Sequence, residues 1–179
     1  MSSDTPGNDL LQALVKLLGS RRDDVRATHH RVLPVGDYLS DRWEKAKSLG
    51  FGEGVSIYDS SLVIGDVRVG EGTWIGPFTI LDGSGGLEIG AFCSISAGVQ
   101  IYTHDTVEWA LSGGQRKPVH SPVKVGSRCY IGPSTVISMG VTIGDGCVIG
   151  ANSLVNSDVP AGSKAWGTPA RVTGLVQLG

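Results

Sequence analysis

An apolar, mostly β-branched residue returns at every sixth position through the second half of this 179-residue chain, at Val125, Ile131, Ile137, Ile143, Ile149 and Val155. Gly126, Gly132, Gly144 and Gly150 directly follow four of them, and a small or β-branched residue stands four places after each, at Cys129, Thr135, Val141, Cys147, Ser153 and Val159. A helix asks for apolar residues at three-to-four spacing and a half-buried strand for strict alternation, so neither accounts for a period of six. A solenoid does. If each six-residue unit is a short strand plus a corner, the marked residues point inward at fixed angles, glycine serves the turn, and stacked coils share one narrow core.

The same ladder runs earlier, at Ile57, Val63, Val69, Ile75 and Leu81 and again at Ile89, Ile95 and Ile101, with Thr73 and Thr79 in the small slot. Between Leu81 and Ile89 two residues are surplus, and they fall in the stretch DGSGG at 82–86, which predicts a bulged corner. Between Ile101 and Val125 the phase survives but eighteen residues are looped out. A long excursion from a regular repeat is usually functional. This one, at about 104–122, carries His104, Asp105, Glu108, Trp109, Arg116, Lys117 and His120.

With a formal net charge of -2, 18% charged residues and 27 glycines, the chain reads as a turn-dense repeat and not as a nucleic-acid binder. Cys93, Cys129 and Cys147 all occupy the small slot and read as buried thiols, and no CxxC spacing supports zinc. Residues 8–18 and 37–48 carry helical patterns, with Asn8 and Asp37 as caps and Gly50 near the second stop. Such helices are expected to cover the open end of the solenoid or a neighbouring subunit. The apolar run LLQALVKLL is too short for a membrane span and is interrupted by Gln12 and Lys16, so a cytoplasmic protein is expected. The expected organisation is an N-terminal helical segment over 1–50, a solenoid over 51–173 and a tail over 174–179.

The repeats, the Thr103-His104 pair ahead of the looped-out segment, VTIGDGCVIGANSLV and the closing GTPARV at 167–172 together resemble the hexapeptide-repeat acyltransferases. The likeness is specifically to the galactoside and maltose O-acetyltransferases and the sugar acetyltransferases of surface polysaccharides, and it covers about residues 51–173. It implies an all-β fold, a left-handed parallel β-helix with short N-terminal helices and a looped-out segment, assembled as a homotrimer with active sites between subunits. It further implies acetyl-CoA as co-substrate, no metal, and a small-molecule sugar or sugar-nucleotide acceptor. Because it comes from the family and not from the repeat period, the handedness is an implication of the resemblance alone.

In that family a histidine at the start of the loop takes the proton from the acceptor hydroxyl, and the matching residue is His104. An imidazole suits the task because its neutral form is available near neutral pH. His120, at the far end of the loop, is a second catalytic or acceptor contact. Carried over position by position, the donor site comprises Gly132 and Pro133 on one coil, Gly150 and Ala151 on the next, then Asn156 and Ser157. The family often has Thr-Lys at this last pair, so Lys164 or Arg171 is expected to supply the missing charge, with Trp166 stacked on adenine or packed in the trimer. Asp82 matches an acidic residue that touches sugar, although it is also a natural turn former. Pro77 and Phe78 stand where some sugar acetyltransferases have an asparagine, which points away from simple galactosides and maltose. An N-acetyltransferase of a nucleotide-linked amino sugar and a non-enzymatic or metal-binding β-helix are the alternatives.

Overall fold

The computed structural model describes residues 6–177. The chain divides into two compact units, 1–41 and 42–179. The first holds helices α1 (Pro6–His29) and α2 (Gly36–Leu39). α1 runs well past the expected end at residue 18. Gly19 meets no neighbouring atom and costs the helix only about 1 kcal/mol. Asp9 in the first turn and Arg26 and His29 in the last complement the helix dipole. The second expected helix, 37–48, is broken in two: Ser40 leaves helical space (φ -107, ψ 123), and the remainder is a separate helix, α3 (Arg42–Ser48).

α3 groups with the repeat unit instead of the segment before it. Ala46 is buried in the repeat's core, Lys45 Nζ donates to the carbonyls of Tyr58, Asp59 and Ser61 at 2.9–3.1 Å, and the Phe51 N–H returns to Ala46 O. α3 thus covers the first coil, which would otherwise expose its core and unpaired backbone.

The coils follow in order. The first holds β1 (Ser56–Ile57) and β2 (Leu62–Val69), and the second holds β3 (Trp74–Ile75) and β4 (Ile80–Ile89). The third holds β5 (Ser94–Ile95) and β6 (Gln100–Ile101), makes an excursion through β7 (His104–Asp105), α4 (Val107–Leu111) and β8 (Val119–His120), and closes with β9 (Val123–Val125). The fourth holds β10 (Tyr130–Ile131), β11 (Val136–Ile137) and β12 (Thr142–Ile143). The fifth holds β13 (Val148–Ile149) and β14 (Leu154–Val155) and closes at Val159, bridged to Ile143. A terminal hairpin of β15 (Ser163–Gly167) and β16 (Ala170–Leu175) ends the stack. β16 takes in Gly174 and Leu175, which the sequence pattern assigned to a tail, because Gly174 pairs with Lys164 and Leu175 with Ser163.

Strands of successive coils pair in parallel, so this is a parallel β-helix with three faces. Ile57, Ile75, Ile95, Ile131, Ile149 and Ala165 stack in register inside the first face. Leu81, Ile101, Ile137 and Val155 do so inside the second, and Val69, Ile89, Val125 and Ile143 inside the third. All are buried, each fully buried aliphatic side chain contributing about 1.5–3 kcal/mol. Val63, the one marked residue that stays only partly buried, lies in the first coil, where the stack has a neighbour on one side. The small slots tie coil to coil: Thr73 Oγ1 donates to Gly90 O at 2.8 Å and Thr135 Oγ1 to Gly150 O at 3.0 Å. Cys93, Cys129 and Cys147 are buried free thiols, with Cys129 Sγ 3.1 Å from Gly144 O.

Candidate active site

The surplus pair of residues in DGSGG and the looped-out segment meet at one corner. β4 runs without a break across the corner between second and third faces, and its register with β2 slips between Gly65 and Val67, as an inserted bulge requires. One coil further on, β6 ends against β4 with Ile101 opposite Leu81, which carries Thr103 and His104 past Asp82. Gly85 lies so close to this turn that a Cβ there would collide with Thr103 O, so that position tolerates no side chain.

Asp82 Oδ2 and His104 Nδ1 are 2.6 Å apart. The same oxygen accepts the Thr103 N–H at 2.9 Å, and Oδ1 accepts the Ser84 N–H at 3.0 Å. Ser84 Oγ is also 3.1 Å from His104 Nδ1, while Thr103 Oγ1 donates to Asp82 O at 2.9 Å and accepts the Gly85 N–H at 2.7 Å. The Asp82 side chain is 1% exposed and that of His104 is 36% exposed. Burial alone would push the Asp82 carboxyl up, but hydrogen bonds from the Ser84 hydroxyl, the Thr103 and Ser84 N–H groups and His104 outweigh it and hold the group well below the ordinary carboxylate range. Asp82 is therefore an ionised acceptor at neutral pH. Facing an acceptor, His104 Nδ1 is the donor of the pair, an arrangement that in a neutral ring leaves the lone pair on Nε2.

Asp82, expected as a sugar contact, turns its carboxylate toward His104: the side chain is 1% exposed and each oxygen already accepts a hydrogen bond. Ser84 escaped notice because a serine in a glycine-rich turn carries no signal of its own; the spacing Asp82-x-Ser84, whose N–H closes back on the carboxylate, was the available hint.

His120, expected as a second contact, lies beside His104. β7 and β8 pair antiparallel with His104 directly opposite His120, and the two rings lie 5.8 Å apart between centroids. The rest of the excursion is braced internally: Asp105 Oδ1 accepts the Val107 N–H at 3.1 Å, and Arg116 Nη1 donates to Glu108 Oε2 at 3.1 Å. Among the described residues, no three His, Cys, Asp or Glu side chains are placed to share a metal ion.

The residues matched to the donor site fall in three places. Gly132, Pro133, Gly150 and Ala151 form the corner between first and second faces: Gly132 N donates to Ile149 O, Pro133 O accepts the Asn152 N–H, and a Cβ on Gly132 would lie 2.5 Å from Ala151 N. Gly150 is pressed in the same way against Trp166 Cβ at 2.7 Å. The glycines are thus required by coil stacking itself, whatever lies outside. Asn156 and Ser157 follow β14, on the corner that carries the His104 excursion higher in the stack. Lys164, Trp166 and Arg171 are on the terminal hairpin, Trp166 opposite Arg171. The chain does not by itself bring the donor residues to His104.

Fold and repeat together define the class: a parallel β-helix built of hexapeptide repeats, interrupted once by a loop that delivers a histidine. Residues 122–157 match the family described as the hexapeptide repeat of succinyl-transferase. Nodulation protein L of Rhizobium meliloti (strain 1021) is 41% identical over 113 residues, 63% of this chain and 51% of that protein, so the chain spans about half the length of this curated relative. A maltose O-acetyltransferase from Clostridium difficile 630 superposes with a TM-score of 0.64 at 28% identity, over 93% of this chain and 89% of that one. A hexapeptide-repeat acetyltransferase from Vibrio cholerae O1 biovar eltor, solved with acetyl coenzyme A, shares the fold with a TM-score of 0.63 at 23% identity, over 99% and 93% of the two chains. An N-acyltransferase from Bacillus cereus, in a mutant form with dTDP and coenzyme A, does so with a TM-score of 0.65 at 24% identity, over 71% and 73%.

Proposed function

We propose that the chain is an acetyl-CoA-dependent acyltransferase that acetylates a sugar hydroxyl, in the modification of a surface polysaccharide or its precursors. The observation that carries this reading is the Asp82–His104 pair at the mouth of the excursion. The likeness to a maltose O-acetyltransferase supports it. With Nδ1 committed to Asp82, Nε2 of His104 takes the proton from the acceptor O–H as the oxygen attacks the thioester carbonyl. The C–S bond then breaks and the imidazolium returns its proton to the departing thiolate. Asp82 stabilises the imidazolium formed in between, and Thr103 and Ser84 hold Asp82 in place.

Gly132, Pro133, Gly150 and Ala151 on one corner, Asn156 and Ser157 on another, and Lys164, Trp166 and Arg171 at the end form the donor site only when a neighbouring copy sets its corner against this one. We therefore infer a homotrimer with sites between subunits. The outward row of the second face, Leu62, Ile80, Gln100, Val136 and Leu154, is mostly aliphatic and uncharged, and suits burial between copies. On this reading the reaction is expected in the cytoplasm, where acetyl-CoA is available.

An amino sugar linked to a nucleotide is the second acceptor class, since the same base serves a nitrogen nucleophile. Release of CoA, measured with matched hydroxy and amino sugars, separates the two. No release with either class, from protein shown to bind acetyl-CoA, would leave the non-enzymatic β-helix as the better account.

A further inference from the structure

We infer that the outer surface of the first face is a docking platform for a neutral glycan chain, with Trp74 and Tyr130 as its stacking residues. This rests on the reading that the acceptor is a carbohydrate, and it adds that the acceptor, or the polymer bearing it, extends beyond one sugar ring.

The row is fixed by register. Ser94 pairs with Trp74 on one side and with Tyr130 on the other, and Tyr130 pairs onward with Val148. These are the outward members of strands whose inward members are the buried isoleucines. Trp74 is 67% exposed and Tyr130 43% exposed. They are two strand spacings apart, about 10 Å, with the short Ser94 leaving a trough between them. Two aromatic side chains set that far apart on a flat sheet match the span of about two linked pyranose rings. The electron-rich face of an indole or phenol attracts the C–H edges of a sugar, and the hydroxyls of Ser94 and Tyr130 are available to its rim of O–H groups.

Charge selects the occupant. From Trp74 to Val148 the row carries none and meets a cation only at its end, where Val148 pairs with Lys164, whereas the third face is laced throughout by Arg68, Glu88 and Lys124, with Arg68 3.9 Å and Lys124 3.8 Å from Glu88. A nucleic acid or a phosphorylated polymer would need cations where this row has serine and valine. A peptide adding itself as a strand would need unpaired backbone, and the strands of this row already pair with the coils on both sides. The aliphatic row of the second face is the better surface for another copy of the chain. An uncharged chain of rings fits the first.

Calorimetric titration without any acyl donor tests this apart from the chemistry, using neutral gluco-, galacto- and N-acetylglucosamine oligosaccharides from mono- to hexasaccharide. At least one series is expected to bind more tightly with length up to a few rings. Trp74→Ala and Tyr130→Ala should each weaken that binding by about tenfold while leaving the mass in solution and CoA release with a monosaccharide unchanged. The inference is overturned if no series binds, if the variants bind as the parent does, or if either variant alters the oligomeric mass, since the row would then be covered by another copy. Failure of CoA release with intact glycan binding would instead strike the acyltransferase reading alone.

Discussion

Nδ1 of His104 lies 2.6 Å from Oδ2 of Asp82, across a sequence separation of 22 residues, slightly more than one turn of the β-helix. On the proposed mechanism that contact holds the base in one tautomer, and its first consequence concerns Asp82→Asn. An amide can donate to Nδ1 where the carboxylate could only accept, so the ring would be held with its proton on Nε2. Turnover is expected to fall by about 10³, as when a base is locked in the wrong tautomer, with acetyl-CoA affinity unchanged. Steady-state rates beside donor titrations on the same preparation would check it; a fall of tenfold or less would mean that the pair is structural only.

The same carboxylate makes stability depend on acid. Its folded value is depressed relative to the unfolded one, so its contribution is fully present above the unfolded value of about 4 and is lost as pH falls toward the folded value. The melting temperature of the parent should exceed that of Asp82→Asn by a constant margin from neutrality down to about pH 5, and the margin should close below about pH 4. A margin that widened in acid would reverse the sign assigned to Asp82.

Ile143 is fully buried on the third face between Val125 and Val159. Ile143→Asp puts a carboxylate there with no partner, at a cost of several kcal/mol. Insoluble protein is expected on expression, whereas Ile143→Val should cost about 0.5–1.5 kcal/mol and remain folded. Soluble, cooperatively melting Ile143→Asp would mean that the core is not packed as described.

If the donor residues on the two corners come together through a neighbour, light scattering at micromolar concentration should give three times the chain mass. Acetyl-CoA should raise the melting temperature of that assembly, as any ligand confined to the native state does. A clean monomer with full donor affinity would remove the need for an interfacial site.

The ladder could be read from sequence because each inward residue repeats at a fixed distance and nothing else in the chain competes with it; Ile131, Ile137, Ile143 and Ile149 lie where the period puts them. The position of the excursion was equally legible, since a break in phase needs no three-dimensional information. The partner of His104 was not. Asp82 looked like a turn former or a sugar contact because its value as an orienting group depends on which residue stacks above it, and that depends on two surplus residues whose placement within DGSGG the period leaves open. The N-terminal region misled in the other direction: the charged stretch after Gly19 carries no apolar period, yet α1 continues through it to His29, while the smoother pattern at 37–48 is cut at Ser40.

The comparison that bears most directly on the account is His104→Ala against His120→Ala, each measured for turnover and for acetyl-CoA affinity. His104→Ala is expected to lose about 10² to 10⁴ in turnover with donor affinity and melting temperature nearly unchanged, because the side chain is partly exposed at the loop mouth and not packed in a core slot. His120→Ala, on the exposed strand opposite, should lose about tenfold or less. Full activity in His104→Ala, or the reverse ranking of the two, would contradict the assignment of His104 as the base.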